Sequence, residues 1–123
     1  MTEGKRQKQV AAVLEQELNE VFRHLGLHMM RGGLVSIAGV KVTPDLLEAR
    51  VYLSFFQTDD KTETLRNIQE KSREIKKELN QRVRHQLRIM PKLSFFIDDT
   101  LEYVDKMEKL FREIKSQEEK KEP

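Results

Sequence analysis

The sequence predicts a single α+β domain in which helices cover one face of a three-stranded sheet, with the element order α-β-β-α-β-α. Three observations support this prediction. Apolar residues recur at three- and four-residue steps in three segments, as in amphipathic helices. Three other segments combine β-branched and aromatic residues with flanking turn signals, as in strands. The chain has 123 residues, which suits one domain and is too short for two.

The first predicted helix runs from about Lys8 to Leu25. Its apolar residues follow helical spacing: Val10, Val13, Leu14, Leu18, Val21, Phe22 and Leu25. Gly26, Gly32 and Gly33 come next and end the helix, because glycine favours turns over helix interiors.

Two strands are predicted next, Leu34 to Val42 and Leu46 to Phe56, on either side of Pro44 and Asp45. Proline suits the second position of a type I turn, and aspartate can hydrogen-bond its own backbone two residues on. The two strands and the turn together predict a β-hairpin.

The central helix follows the polar residues 58–60 and keeps helical spacing to about Arg88. Its apolar residues are Leu65, Ile68, Ile75, Leu79 and Val83. Pro91 prevents the helix from continuing. A third strand, Lys92 to Asp98, is predicted by its alternation of apolar and polar residues.

A last helix is predicted from a capping pattern, in which Glu102 follows Asp99 three positions later. Its apolar stripe is Leu101, Val104, Met107, Leu110, Phe111 and Ile114. The domain is expected to span residues 5–115. Residues 116–123 carry no apolar side chain and are expected to be disordered.

Composition excludes several classes of protein. The chain has no cysteine, so disulfide frameworks, cysteine zinc sites and thiol nucleophiles are absent. No apolar run approaches the roughly 20 residues of a membrane span, and the first ten residues lack a signal-peptide core. We therefore expect a cytoplasmic protein with no membrane partner.

Basic residues are concentrated in one part of a chain whose net charge is only +2. Residues 66–92 contain nine basic residues and three acidic ones. We predict that the basic residues bind RNA, because lysine and arginine replace the counterions condensed on phosphates. They are Arg66, Lys71, Arg73, Lys76, Lys77, Arg82, Arg84, Arg88 and Lys92.

On a straight helix, Arg66, Arg73, Lys77, Arg84 and Arg88 fall in one stripe about 60° wide, opposite the apolar face. The alternative is a solvated face stabilised by local ion pairs. The pairs considered are Glu70 with Arg73, Glu74 with Lys77, and Glu78 with Arg82. The positive excess is too large for all of it to be neutralised in this way.

No catalytic residue, metal ligand, cofactor or small-molecule substrate is predicted. His24 and His28 lack the further ligands that a metal site needs, and we interpret them as exposed residues at a helix end. Asp98 and Asp99 fit a helix cap better than a cation site. The four residues Phe55, Phe56, Phe95 and Phe96 favour the core over a base-stacking platform, although Tyr52, Phe56 or Phe96 would suit an open sheet face.

Two segments carry a family resemblance when taken together. The sequence resembles the bacterial ribosome-binding factor A family in two segments that follow an amphipathic helix. In order, they are VKVTPDLLEARVYLSFF (residues 40–56) and LRIMPKLSFFIDDTLEY (residues 87–103). The resemblance covers roughly residues 5–114. No single motif is specific to this family, but the whole set is hard to find in another family of this length and topology.

The resemblance implies a type II KH-like fold and a non-catalytic assembly factor that is expected to be a monomer. Its partner would be the free or immature small (30S) ribosomal subunit and its rRNA, near the neck and decoding region. It would assist late maturation, including processing of the 5′ end of the small-subunit rRNA, and leave before translation. The family is also associated with adaptation to cold.

The family usually carries an Ala-x-Gly signature that kinks the central helix pair. Alignment on Ile75 places Lys71, Ser72 and Arg73 at this signature, and they supply neither the small residue nor the glycine. The sequence therefore leaves the kink open. Two other function classes stay under consideration. One is a protein-binding module that presents amphipathic terminal helices and does not bind RNA, and the other is a small enzyme.

Overall fold

The computed structural model describes residues 4–98 and 112–114 of the chain. The elements are α1 Lys5–His24, β1 Met29–Met30, β2 Gly33–Val42, β3 Glu48–Phe56, α2 Lys61–Glu70, α3 Ser72–Val83 and β4 Lys92–Ile97. The strands form one sheet in the order β1-β2-β3-β4. The α+β class and the three long strands are confirmed. The prediction of a three-stranded sheet is wrong, because β1 adds a fourth strand.

The additional strand, β1, pairs antiparallel with β2, with Met30 opposite Gly33. Arg31 and Gly32 connect the two strands with φ angles of 52° and 79°. A two-residue loop with positive φ at both positions is typical of a type I′ hairpin. Sequence patterns missed this hairpin because Arg-Gly lacks the usual Asn-Gly signal and a two-residue strand shows no periodicity.

The predicted hairpin is formed by β2 and β3, which pair antiparallel with Val40 opposite Val51. Between Ile37 and Gly39 the register shifts at a bulge. β3 begins at Glu48 and not at Leu46, because the turn continues through Leu46 with a φ of 63°.

The turn before β3 is held by the carboxylate of Asp45, which accepts hydrogen bonds from the Thr43 hydroxyl (2.6 Å) and the Leu47 N–H (3.0 Å). These donors lower the pKa of Asp45, and the Thr43 hydroxyl has the larger effect. The ionised Asp45 carboxylate therefore stabilises the folded state fully at a pH above the ordinary carboxyl pKa. This stabilisation is lost as the pH falls through the lowered pKa of Asp45 in the folded state.

We expect an NMR titration to give Asp45 a pKa below that of an unfolded-peptide aspartate. The Thr43→Val variant should raise this pKa, because it removes the hydroxyl donor and keeps the side-chain shape. Asp59 is a control in the same titration, because its pKa is lowered mainly by Arg31, away from the turn. An Asp45 pKa that did not move in the variant would contradict the assignment.

The fourth strand, β4, pairs parallel with β3, with Phe95 opposite Val51. The connection between them carries α2 and α3, as expected for a parallel crossover. Phe95 is 5% exposed, and its ring centroid lies 6.3 Å from that of Phe22 on α1. The core therefore lies between one sheet face and the helices, and the prediction of a core position for Phe95 is confirmed.

The opposite sheet face carries two neighbouring aromatic rings. Tyr52 and Phe96 occupy adjacent register positions on β3 and β4, with ring centroids 5.7 Å apart. Phe96 is 42% exposed and thus lies on the open sheet face, the alternative that the sequence left for it, whereas the core position of Phe55 is confirmed. The reason is strand alternation, which turns Phe96 away from the side on which Phe95 is buried.

The predicted C-terminal helix falls largely outside the described residues, as does the predicted tail of residues 116–123. Residues 112–114 are helical, and Ile114 packs against Leu34, as does Phe56. Within the part of the chain that the structure describes, no helix combines the length and apolar character needed to cross a membrane.

Candidate nucleic-acid interface

All nine predicted RNA-binding residues are exposed. The apolar residues of the same segment point the other way, and Ile68, Ile75, Leu79 and Val83 are buried. The segment is therefore amphipathic as predicted, with its charges available to solvent.

The predicted central helix is two helices, which meet at Lys71. The Lys71 backbone has φ −90° and ψ 6°, and its N–H donates to the Ile68 carbonyl at 2.9 Å. The Lys71 carbonyl accepts a hydrogen bond from the Ile75 N–H at 3.0 Å. Backbone hydrogen bonds therefore bridge the break between α2 and α3, although the helix itself is interrupted. Ile68 and Ile75 are both fully buried and hold the two sides of the break. The helix therefore breaks here without a small residue or a glycine.

The break changes the arrangement of the predicted stripe. Arg66 lies on α2, whereas Arg73 and Lys77 lie on α3. Arg84 is the C-cap residue of α3, and Arg88 lies beyond it, because the helix ends at Val83 and not near Arg88. The prediction of one continuous stripe is wrong, because the angular argument requires a straight helix through all five positions.

One group of cations forms a cleft on α3. Arg73, Lys76 and Lys77 line it together with Asn80 and Met90, and its volume is about 320 Å³. We call this the α3 cleft. It combines three positive side chains with an amide that can both donate and accept hydrogen bonds, a combination suited to phosphate and sugar oxygens.

The three local ion pairs named above for the alternative interpretation are not formed among the described residues. Glu78 and Arg82 contact residues of α1 instead. Arg82 contacts Glu17 on α1 at 3.3 Å, and Glu78 contacts His24 on α1 at 2.5 Å. Both contacts join α3 to α1 and lie far apart in sequence. Helix periodicity, which describes one helix at a time, could not have predicted them.

Two further cations have short-range partners. Arg66 contacts Glu63 at 2.7 Å, and Lys71 contacts Glu74 at 3.8 Å. Such exposed pairs contribute little stability and are screened by salt. We therefore regard Arg66, Lys71 and Arg82 as partly neutralised.

Other predicted cations keep their charge unpaired. Within the described residues, no carboxylate lies within 4.0 Å of the charged groups of Arg73, Lys76, Lys77, Arg88 or Lys92. Among the same residues, Arg84 has no carboxylate partner, and its Nε–H donates to Nε2 of His85 at 3.3 Å. Positive charge is therefore most available at the α3 cleft and towards β4.

A second depression lies beside the helix break. It is lined by Gln69, Ser72, Leu93, Ser94, Phe95 and Phe96, which places the end of α2 and the start of α3 next to β4. β4 is the last strand of the sheet order, so its outer edge has no strand partner among the described residues. Sequence reasoning missed the uncharged residues of both depressions, because only the tertiary structure brings them beside the cations.

No catalytic arrangement is formed by the described residues. His24 ends α1, so it does not share a helix face with His28. Residues 4–98 and 112–114 contain no group of three histidine or carboxylate side chains able to hold a metal ion. The Asp98 backbone bonds to the Leu53 carbonyl and the Ser54 hydroxyl, which supports a structural role, and Asp99 lies outside the described residues.

Comparison with known proteins identifies the family. The family model described as "Ribosome-binding factor A" matches residues 6–111. The chain belongs to the ribosome-binding factor A family. A relative from Christiangramia forsetii, also named ribosome-binding factor A, is 42% identical over 110 residues, which cover 89% of this chain and 84% of the relative.

Solved structures of the family share the fold. The crystal structure of ribosome-binding factor A from Thermus thermophilus has a TM-score of 0.62 at 23% identity, covering 74% of this chain and 94% of that one. A homology model of the Thermus thermophilus factor, fitted into a cryo-EM map of a 30S complex, has a TM-score of 0.51 at 20% identity, covering 77% and 93%. At these identities the likeness shows the fold.

Proposed function

We propose that this chain is a non-catalytic assembly factor that binds the small ribosomal subunit through its rRNA. The observation that carries the proposal is the α3 cleft, in which a member of this family exposes three cations that have no ion-pair partner among the described residues. The Thermus thermophilus factor in a 30S complex supports the choice of subunit. Phosphates of rRNA are the matching ligand, because cationic side chains gain affinity by releasing counterions.

The proposal divides the nine cations by their surroundings. Arg73, Lys76 and Lys77 are the central phosphate contacts, because they share one cleft and have no carboxylate partner within residues 4–98 and 112–114. The flanking contacts are Arg66, Lys71, Arg82, Arg84, Arg88 and Lys92. Arg66, Lys71 and Arg82 must exchange a carboxylate for a phosphate, so each contributes less net affinity than an unpaired cation.

The finer role follows from family membership. We propose a type II KH-like fold, a monomeric state and a cytoplasmic location. The factor assists late maturation of the subunit, including processing of the 5′ end of its rRNA, supports growth in the cold and leaves before translation. We also propose that its domain spans residues 5–115.

A protein-binding module that presents its terminal helices is less well supported. The apolar face of α1 is already buried against the sheet, with Leu14, Leu18 and Val21 fully enclosed. Presenting this face to a partner would require α1 to leave the core. The cationic surface, in contrast, is exposed without any rearrangement.

Sedimentation with purified ribosomal particles tests the proposed function. We expect the chain to migrate with small subunits at moderate salt, and not with large subunits or complete ribosomes. Raising the salt should release it, because the phosphate contacts are electrostatic. Equal migration with both subunits, or failure to migrate with either at low salt, would contradict the proposal.

A further inference from the structure

A second surface lies at the end of the sheet where the turn between β2 and β3 meets the segment before β4. It is a small apolar groove of about 130 Å³, lined by Arg6, Val10, Asp45, Leu46, Leu47, Leu87, Arg88 and Ile89. We call it the turn groove. The sequence segments 40–56 and 87–103, which carry the family resemblance, meet here, and the proposed function leaves most of these lining residues unused.

The turn groove exposes large aliphatic side chains. Leu47 is 49% exposed and Ile89 is 62% exposed, and Met29 and Phe96 are the other large apolar side chains with comparable exposure among residues 4–98 and 112–114. Burying apolar side chains is favourable, so the convergence of Leu47 and Ile89 on one groove favours a partner that covers them.

The backbone of the groove is strained. Leu46 has a φ of 63°, in the left-handed region that leucine rarely adopts. This conformation is held by the Leu46 N–H, which donates to the Thr43 carbonyl at 2.9 Å, and by the Asp45 carboxylate bound to Leu47. Strained backbone held by its surroundings is frequent at ligand clamps.

The charge at the groove rim is positive. Arg6 and Arg88 are exposed, and neither has a carboxylate within ion-pair distance among the described residues. Asp45 is the acidic residue of the lining, and its carboxylate already accepts from Thr43 and Leu47. Two guanidinium groups are thus available to bind carboxylates from a partner.

We propose that the turn groove binds an acidic segment of a small-subunit protein, with one aliphatic side chain inserted between Leu47 and Ile89. This inference rests on the proposed function, which supplies the subunit. The groove volume suits one side chain, since an apolar cavity of roughly 150 Å³ holds a benzene-sized group. The flanking carboxylates pair with Arg6 and Arg88.

The aliphatic lining favours a protein partner over RNA, and the cross-linking experiment below separates the two. Unpaired bases are bound by stacking on aromatic rings or guanidinium planes and by hydrogen bonds to their edges. Among the residues that the structure describes, no aromatic side chain lines the groove, and its aliphatic lining includes the buried Val10 and Leu87 and the half-buried Leu46. Aliphatic side chains beside arginines match a peptide with an aliphatic anchor and acidic neighbours. The inference therefore reassigns Arg88, named above as a flanking phosphate contact, to a protein contact separate from the α3 cleft.

Site-specific photo-cross-linking on purified small subunits tests the proposal. A benzophenone amino acid replaces Leu47 in one variant of the full chain and Lys77, in the α3 cleft, in another. Both side chains are exposed, so the fold should accept the replacement. After irradiation, nuclease and protease digestion separate cross-links to rRNA from cross-links to protein.

We expect the probe at Leu47 to cross-link to a subunit protein, at a peptide rich in aspartate or glutamate. The probe at Lys77 should cross-link to rRNA. If the Leu47 probe reached only rRNA, or nothing, while the Lys77 probe reached rRNA, the inference would be overturned and the proposed function would stand. If the Lys77 probe reached no rRNA, the rRNA part of the proposed function would fail independently.

A substitution pair then tests the chemistry of the groove. Ile89→Asp should lower the cross-linking yield at Leu47 at least about tenfold, because it removes the apolar contact and repels carboxylates. Met29→Asp is the matched control, since Met29 is an exposed apolar residue that lines neither the turn groove nor the two depressions of the candidate interface. Circular dichroism establishes that both variants are folded. An unchanged yield in folded Ile89→Asp would overturn the proposal.

Discussion

Replacing Phe95 by alanine should lower the free energy of unfolding by about 3 to 5 kcal/mol, a range typical of a buried phenylalanine truncated to alanine. The side chain is 5% exposed and its ring packs against Phe22, so the substitution opens a cavity between α1 and β4. Neighbouring side chains have little freedom to fill this cavity, because Val51 and Leu53 are themselves fully buried. Urea denaturation followed by circular dichroism measures the loss.

The adjacent residue supplies the control for this substitution. Phe96→Ala removes the same atoms from the opposite sheet face, where the ring is 42% exposed and contacts Tyr52. Its loss should be about 1 kcal/mol, since a cross-strand aromatic pair contributes little more than that. Equal losses in the two variants would show that the sheet faces are assigned incorrectly.

Replacing Arg73, Lys76 and Lys77 together by alanine should greatly weaken binding to rRNA and reduce its dependence on salt. Each phosphate contact contributes about 0.7 to 0.9 to the magnitude of the slope of log affinity against log salt concentration. Removing three should flatten the slope by about 2 to 3 units. The three side chains are exposed, so the variant should keep its fold. Filter binding to small-subunit rRNA at several salt concentrations measures the slope.

A second triple variant controls for general loss of charge. Lys5, Lys8 and Lys41 are exposed cations that line neither the α3 cleft nor the turn groove. Their replacement by alanine removes the same net charge and should change the slope by much less. If the α3 variant were folded and kept its slope while the control lost it, the α3 cleft would not be the rRNA surface.

The sheet was predictable from sequence because its strands combine composition with clear boundaries. Residues 34–42 and 92–97 are apolar and β-branched or aromatic, and turn residues precede or follow them. The start of β3 was misplaced because Leu46 occupies a left-handed turn position, which no rule assigns to leucine. The parallel pairing of β3 and β4 follows only from the folded structure.

The candidate site was predictable in composition and not in arrangement. All nine cations are exposed, as an amphipathic helix requires. Their positions relative to one another depend on the break at Lys71, a residue whose own helix propensity is good. The break is held by the burial of Ile68 and Ile75, which is a tertiary effect. Local propensity could not reveal it.

The parallel pairing of β4 has a consequence for how the chain folds. β2 and β3 are joined by a short turn and can associate as soon as both have been synthesised, since closing a short loop costs little entropy. β4 can join only after residues 57–91 have left the ribosome and α2 and α3 have reversed the chain direction. Until then β3 has an unpaired edge and Phe22 has no ring to contact. The addition of β4 therefore completes the sheet, and substitutions in β4 should accelerate unfolding more than they slow folding.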